Sequence, residues 1–180
     1  MFCLKRIANV GYEIRNLENV PTVPCIIGCN HQSTWETFIF SLLFDNLSIV
    51  IKRELLKKPI AGMYFRRIGC IPIDRSSPIS AIKTLVKRGG EAYRIGKNIL
   101  IFPNGTRGDA ANQTEYKSGI YAIYKATGAP VVPVKVNSGL CWPHKSFRKA
   151  PGTIALDFKD TITPGLERAE FFAEFEAKMG

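Results

Sequence analysis

Acidic residues are scarce in this chain: 15 Asp and Glu stand against 25 Lys and Arg, a formal net charge of +10 over 180 residues. The shortage is local. Between Lys52 and Arg107 there are 13 basic and 3 acidic residues, so that segment carries the whole surplus. A partner with concentrated negative charge therefore meets the middle of the chain. Nucleic acid, anionic lipid and phosphorylated small molecules all carry such charge. No helix-turn-helix or aromatic-flanked RNA motif accompanies the positive residues, so no nucleic-acid partner is expected. Long apolar runs are also missing. The best stretch, Phe38 to Ile51, is interrupted by Asp45 and Asn46 and falls short of the ~18–20 residues of a membrane span. Met1 to Val10 has no sustained apolar core, which excludes a secretory signal. The five cysteines are odd in number and scattered, with no CxxC pair, so a disulfide framework is excluded and a reduced compartment fits. Cys25 and Cys29 lie near His31, but the paired ligand spacing of a metal site is absent and no metal is expected. They read as small buried hydrophobes. A hydrophobic content of 46% excludes intrinsic disorder.

What is present is a rhythm. Short apolar runs at Tyr12–Leu17, Cys25–Cys29, Ser48–Ile51, Cys70–Ile73, Asn98–Phe102 and Val131–Val136 read as strands. Thr153–Phe158 alternates and reads as an edge strand. Helical spacing covers Ser33 to about Leu43, part of Leu55–Phe65, Pro78–Gly96, Gly119–Thr127 and Glu167–Met179. Strand followed by helix, repeated, predicts one α/β domain over residues 1–180, with a central mixed, largely parallel sheet flanked by helices. In such sheets chemistry collects beyond the carboxyl ends of strands. Four polar clusters obey that rule: Asn30–His31, Asp74–Arg75, Asn104–Arg107 and Asn137–Ser138. One convergent site is expected.

His31 precedes Ser33 and Glu36, which are spaced as a capping box. The local reading is that Glu36 helps to start a helix. The catalytic reading places His31 in the loop before the helix, within reach of Glu36. A carboxylate on one ring nitrogen fixes the tautomer and leaves the other nitrogen as a base. Arg75, beside Asp74, forms either a surface pair or a fork for an anion. Asn104–Gly105 reads as a turn, and with Thr106 and Arg107 as an anion cradle of backbone amides, hydroxyl and guanidinium. Pro133 within a buried strand predicts an edge or a bulge near a site. His144, in Trp142–Pro143–His144–Lys145, reads as a surface-loop residue.

Together these blocks resemble the 1-acylglycerol-3-phosphate acyltransferase family, with its H-x4-D/E, G-x-I-x-I-D-R, F-P-E-G-T-R and V-P-V motifs. They stand here at His31–Glu36, Gly69–Arg75, Phe102–Arg107 and Val132–Val134, and Lys52–Leu55 with Pro59 and Gly62 matches a further stretch. The resemblance implies a glycerol-3-phosphate acyltransferase-like fold. It also implies acyl transfer from an acyl-coenzyme A or acyl-carrier-protein thioester, without a cofactor, to the sn-2 hydroxyl of lysophosphatidic acid. It makes His31 the general base and Glu36, where the family usually has Asp, its orienting partner. Lys52, Arg75 and Arg107 become phosphate contacts, Gly105 and Thr106 shape the loop, and Pro133 shapes the acyl or thioester side. Asn104 stands where the family has Glu, which removes a carboxylate beside the phosphate site. A lipid-phosphate-binding relative with weakened catalysis, and an acyltransferase for another lysophospholipid, are the competing readings. The ~30 residues before His31 are too few for a spanning helix plus the first strands, so the domain is expected to lack the family's apolar N-terminal segment. The remaining basic residues, among them Lys57, Lys58, Arg66, Arg67, Lys87 and Arg88, are expected to face an anionic membrane surface. That makes the chain a peripheral protein of the cytoplasmic face.

Overall fold

The central apolar runs at 26–29, 47–51, 99–101 and 131–134 become strands because they are rich in β-branched residues and are buried on both sides. The computed structural model describes residues 5–6, 8–105, 116–143 and 148–180. Its strands are β1 (Val10–Arg15), β2 (Ile26–Cys29), β3 (Leu47–Lys52), β4 (Ile71–Ile73), β5 (Asn98–Ile101), β6 (Val131–Val136) and β7 (Gly152–Phe158). The helices are α1 (Trp35–Leu43), α2 (Pro59–Arg67), α3 (Pro78–Arg94), α4 (Gly119–Thr127), the single turn α5 (Ser138–Cys141) and α6 (Arg168–Met179). Among the described residues no helix is long and apolar enough to cross a membrane.

The seven strands form one sheet in the order β1-β7-β6-β2-β5-β3-β4. All neighbours are parallel except β6 and β7. From β2 the chain steps outward to β3 and β4 through α1 and α2. It returns through α3 to β5, which inserts between β2 and β3, and passes through α4 to β6. Stepping out and then back puts the connecting helices on opposite faces, as right-handed crossovers require. One core holds Trp35, Phe40 and Phe65 against Ile27, Ile49 and Leu100. The other holds Leu85, Ile120, Phe171 and Phe175 against Ile26, Ile99 and Val131.

The expected edge strand is not at an edge: β7 lies between β1 and β6, and its alternation reflects one face packed with Ile154, Leu156 and Phe158. The sheet edges are β1 and β4. Pro72 is tolerated because β4 pairs with β3 alone, opposite Ile51. Pro133 sits in an interior strand. Pairing of β6 with the returning chain runs from Val131↔Ile162 to Val134↔Phe158, with one extra residue on the latter side, and the missing Pro133 N–H faces that bulge.

Two glycines make opposite predictions. A Cβ at Gly62 of α2 would collide with the Leu56 carbonyl, which is backbone and cannot swing aside. A Cβ at Gly90 of α3 would meet open space. Gly62→Ala is expected to destabilise by about 1–3 kcal/mol, and Gly90→Ala to stabilise by about 0.5–1 kcal/mol. Urea unfolding of the two variants reads both signs.

Candidate active site

β5 ends between β2 and β3, and the chain leaves those neighbours toward the face opposite to the one it takes from β5. The crevice at such a switch point is where α/β sheets hold ligands. His31 lies in the loop leaving β2, and Glu36 lies in the first turn of α1. The loop lets two residues five apart meet, where a continuous helix would point them away from each other. His31 Nδ1 stands 3.6 Å from Glu36 Oε2. The imidazole stacks on Phe102, just beyond β5, with 4.0 Å between ring centroids and 22° between planes. The His31 side chain is 12% exposed and Glu36 is fully buried.

Glu36 is held from several sides. Its Oε1 accepts from the backbone N–H of Gln32 at 3.1 Å and of Ser33 at 3.0 Å, and Oε2 accepts from Ser33 Oγ at 3.2 Å. Ser138 Oγ, from the start of α5, also donates to Oε1. Burial by itself would raise this carboxyl's pKa. The His31 ring, the Ser138 hydroxyl and backbone amides outweigh it and hold the group below the usual carboxylate range. Glu36 is therefore ionised at neutral pH. The capping box does not form: the N-cap is Thr34, without a side-chain cap hydrogen bond, and Ser33 Oγ accepts from the Trp35 N–H, while the Glu36 carboxylate braces the loop through the Ser33 N–H and faces His31.

Two clasps fix the loops around this pair. The Asn30 amide donates to the Val136 carbonyl at 2.8 Å and accepts from the Val136 N–H at 2.7 Å. Gln32 Oε1 accepts from Gly139 N–H at 2.9 Å. Both tie the end of β2 to the end of β6.

His31 opens onto a groove of about 780 Å³ on the α1/α2 face. Its walls are mainly apolar, with Phe38, Ile51, Tyr64 and Phe65, and its polar end carries Lys52 and Arg75. The Arg75 guanidinium donates to the Gly105 carbonyl. Gly105 adopts φ +75°, in the left-handed region that the turn needs, and its N–H donates to the Phe102 carbonyl at 2.9 Å. Neither nearby thiol is a nucleophile. Burial pushes Cys25 up to about 12 and raises Cys29 well above the usual thiol range, with the Glu36 charge adding to the effect on Cys29.

An ionised, buried carboxylate behind a histidine beside an apolar groove is an arrangement that can take a proton from a hydroxyl held in that groove. The acyltransferase family model matches residues 11–137. The chain belongs to the acyltransferase family. It is 45% identical over 148 residues to the 1-acyl-sn-glycerol-3-phosphate acyltransferase of Pseudomonas aeruginosa, covering 82% of this chain and 58% of that protein. It is 32% identical over 124 residues to the chloroplastic 1-acyl-sn-glycerol-3-phosphate acyltransferase of Brassica napus, covering 68% and 36%. The chain thus spans about a third to three fifths of the length of these curated relatives. The crystal structure of the 1-acyl-sn-glycerophosphate acyltransferase PlsC from Thermotoga maritima has the same fold, with a TM-score of 0.77 at 20% identity, over 96% of this chain and 70% of that one.

Of the residues expected to form the acyltransferase site, His31, Lys52, Arg75 and Gly105 border one groove, with Glu36 behind His31. Asn104 lies in the turn beside Gly105. Its amide atoms are buried and have no hydrogen-bond partner among the described residues. Pro133 does not border the groove. It pairs with Gly28 inside the sheet, and its neighbours Val132 and Val134 point to the α1/α2 core while Pro133 points the other way. Thr106, Arg107 and His144 lie outside the described residues. Sequence reasoning placed Asn30 and Ser138 in polar clusters of one site and Phe102 in a motif, but assigned none of the three a contact. The polar pair Asn137–Ser138 at a strand end was the signal for Ser138.

Proposed function

We propose that this acyltransferase moves a fatty acyl group from a thioester of coenzyme A or acyl-carrier protein to the sn-2 hydroxyl of 1-acylglycerol 3-phosphate, forming phosphatidic acid. The observation that carries this reading is the His31–Glu36 pair at the cationic end of an apolar groove. The groove suits an acyl chain and the cations suit a phosphate. Glu36 beside Nδ1 leaves Nε2 to take the proton of the acceptor hydroxyl as it attacks the thioester carbonyl. The ionised carboxylate then stabilises the imidazolium, which returns its proton to the departing thiolate. Lys52 and Arg75 bind the phosphate of the acceptor. Thr106 and Arg107 share that role on the strength of the motif. Asn104 turns its unpartnered amide to a substrate oxygen. Pro133 acts at a distance, by shaping the strand that presents Ser138. The reaction uses no cofactor.

The same face suits a membrane surface. Phe38 (45% exposed), Leu42 (68%), Ile60 (82%) and Met63 (67%) stand out from α1 and α2 around the groove, beside the exposed cations Lys57, Lys58 and Arg67. Apolar side chains that enter a leaflet and cations that meet its headgroups are the two components of peripheral attachment. The free thiols of Cys25, Cys29, Cys70 and Cys141 favour the cytoplasmic face.

Acceptor comparison tests this reading. With one acyl thioester in mixed micelles, 1-acylglycerol 3-phosphate is expected to be acylated, and 1-acylglycerol, which lacks the phosphate, to react at least about tenfold more slowly. Arg75→Ala should close that gap by slowing only the phosphorylated acceptor. Equal rates with both acceptors, or no acylation of either, would overturn the assignment.

A further inference from the structure

A second concavity lies on the opposite face of the sheet, between α3 and the β3/β4 edge, with a volume of about 540 Å³. Four cations line it: Arg53, Lys87, Arg88 and Lys97. Glu91 is the one carboxylate beside them. None of the four cations takes part in an ion pair or hydrogen bond among the described residues. Gly69, at φ +70°, forms part of the floor, and a Cβ there would come within 2.7 Å of Lys97 Nζ. The absence of a side chain keeps that ammonium seated in the cleft.

Gathering four cations in a recess around a single carboxylate is unfavourable in the free protein, and it focuses a positive potential on whatever enters. The size lies within the range of small-molecule sites rather than of protein docking faces, which need ~800 Å² per partner. Apolar surface is present too: Ile95 is 73% exposed beside the cations. Several phosphates attached to a flat apolar ring fit this lining better than phosphate alone.

Consecutive residues line the two concavities on the side nearest each other, while Ser48, Gly69 and Lys97 place the rest of the cleft toward the amino ends of β3, β4 and β5. Lys52 borders the groove and Arg53 borders the cleft, at the carboxyl end of β3. We propose that the cleft holds the 3′-phosphorylated ADP end of acyl-coenzyme A. The pantetheine arm then runs past Arg53 and Lys52 into the groove, where the thioester meets His31. This rests on the acyl-transfer reading above and deepens it by choosing the donor. Lys87 and Arg88 thereby leave the membrane-facing set and join the donor site.

The test uses the whole chain and a Lys87→Ala/Arg88→Ala double variant, both changes on the exposed side of α3. Adenosine 3′,5′-bisphosphate, titrated by calorimetry, is expected to bind the unaltered chain and to bind the variant at least about tenfold more weakly, with affinity falling as salt rises. In steady state the variant should raise KM for acyl-coenzyme A by a similar factor. Its kcat, its KM for lysophosphatidic acid and its turnover of an acyl-pantetheine thioester without the nucleotide should be unchanged. Equal binding of the bisphosphate by both proteins would overturn the proposal. So would a KM effect confined to acyl-carrier protein, which would make the cleft a dock for an acidic protein. Loss of anionic-vesicle binding with donor KM unaltered would assign the cleft to headgroups instead, and also overturn it. Nucleotide binding that the variant abolishes, in a chain that turns over no thioester, would remove the acyl-transfer reading and leave the nucleotide site standing.

Discussion

His31→Ala is expected to lower kcat about 10²- to 10⁴-fold, the usual cost of removing a general base. That corresponds to about 2.7–5.4 kcal/mol of transition-state stabilisation. KM for donor and acceptor should change little, because the proposed reaction has His31 move a proton and leaves binding to the groove and its cations. Stability should also change little. The imidazole is an edge feature of the core, 12% exposed, and its main packing partner is the Phe102 ring. Loss of one aromatic stack is worth about 0.5–1.5 kcal/mol. Steady-state kinetics together with urea unfolding separate the two effects. A fall in kcat with unfolding unchanged identifies a chemical role, and a parallel loss of both would identify a structural one.

Glu36→Gln is expected to be costly in both respects. The side chain keeps its shape but loses its charge, so the imidazolium formed during transfer has no carboxylate behind it. On the order of 10²- to 10⁴-fold in kcat should be lost. Its amide must also face donors: the Gln32 and Ser33 N–H groups and two hydroxyls all point at a group that now carries only one acceptor oxygen. Breaking a buried, fully hydrogen-bonded charge typically costs about 3–5 kcal/mol. The pH dependence carries the same signature. Glu36 binds its proton more weakly in the folded chain than in the unfolded one, because the His31 ring, the Ser138 hydroxyl and backbone amides outweigh burial. Its stabilising effect is therefore complete above the unfolded carboxyl value of ~4.3 and is lost as pH falls through the lower folded value. Urea midpoints measured from pH 7 to pH 3 should fall in the unaltered chain and fall less steeply in Glu36→Gln. Identical slopes would show that the carboxylate is not the group that acid titrates.

The strands and helices were legible because each reports a local preference. The runs 26–29 and 131–134 are apolar throughout since both sheet faces are covered there, and Gly128 ends α4 in the left-handed conformation the sequence suggests. Convergence of the polar clusters was legible for a geometric reason: parallel strands deliver their carboxyl ends to one side of the sheet. Strand order was not legible. Nothing local says that β5 enters between β2 and β3, or that β1 closes the sheet on β7 and so moves the alternating Thr153–Phe158 run inward. The same limit hid Ser138, which reaches Glu36 from 102 residues away. Whether Pro133 faces the groove depends on the phase of β6 against β2, a tertiary property.

Direct transfer, with His31 acting on the acceptor rather than on a protein nucleophile, is tested most directly by mixing the chain with excess acyl thioester and no acceptor, then following thiol release and intact protein mass. The expected result is no burst of thiol, no acyl adduct, and steady release only when 1-acylglycerol 3-phosphate is added. A burst equal to the enzyme concentration, with a matching mass increase on the protein, would contradict it.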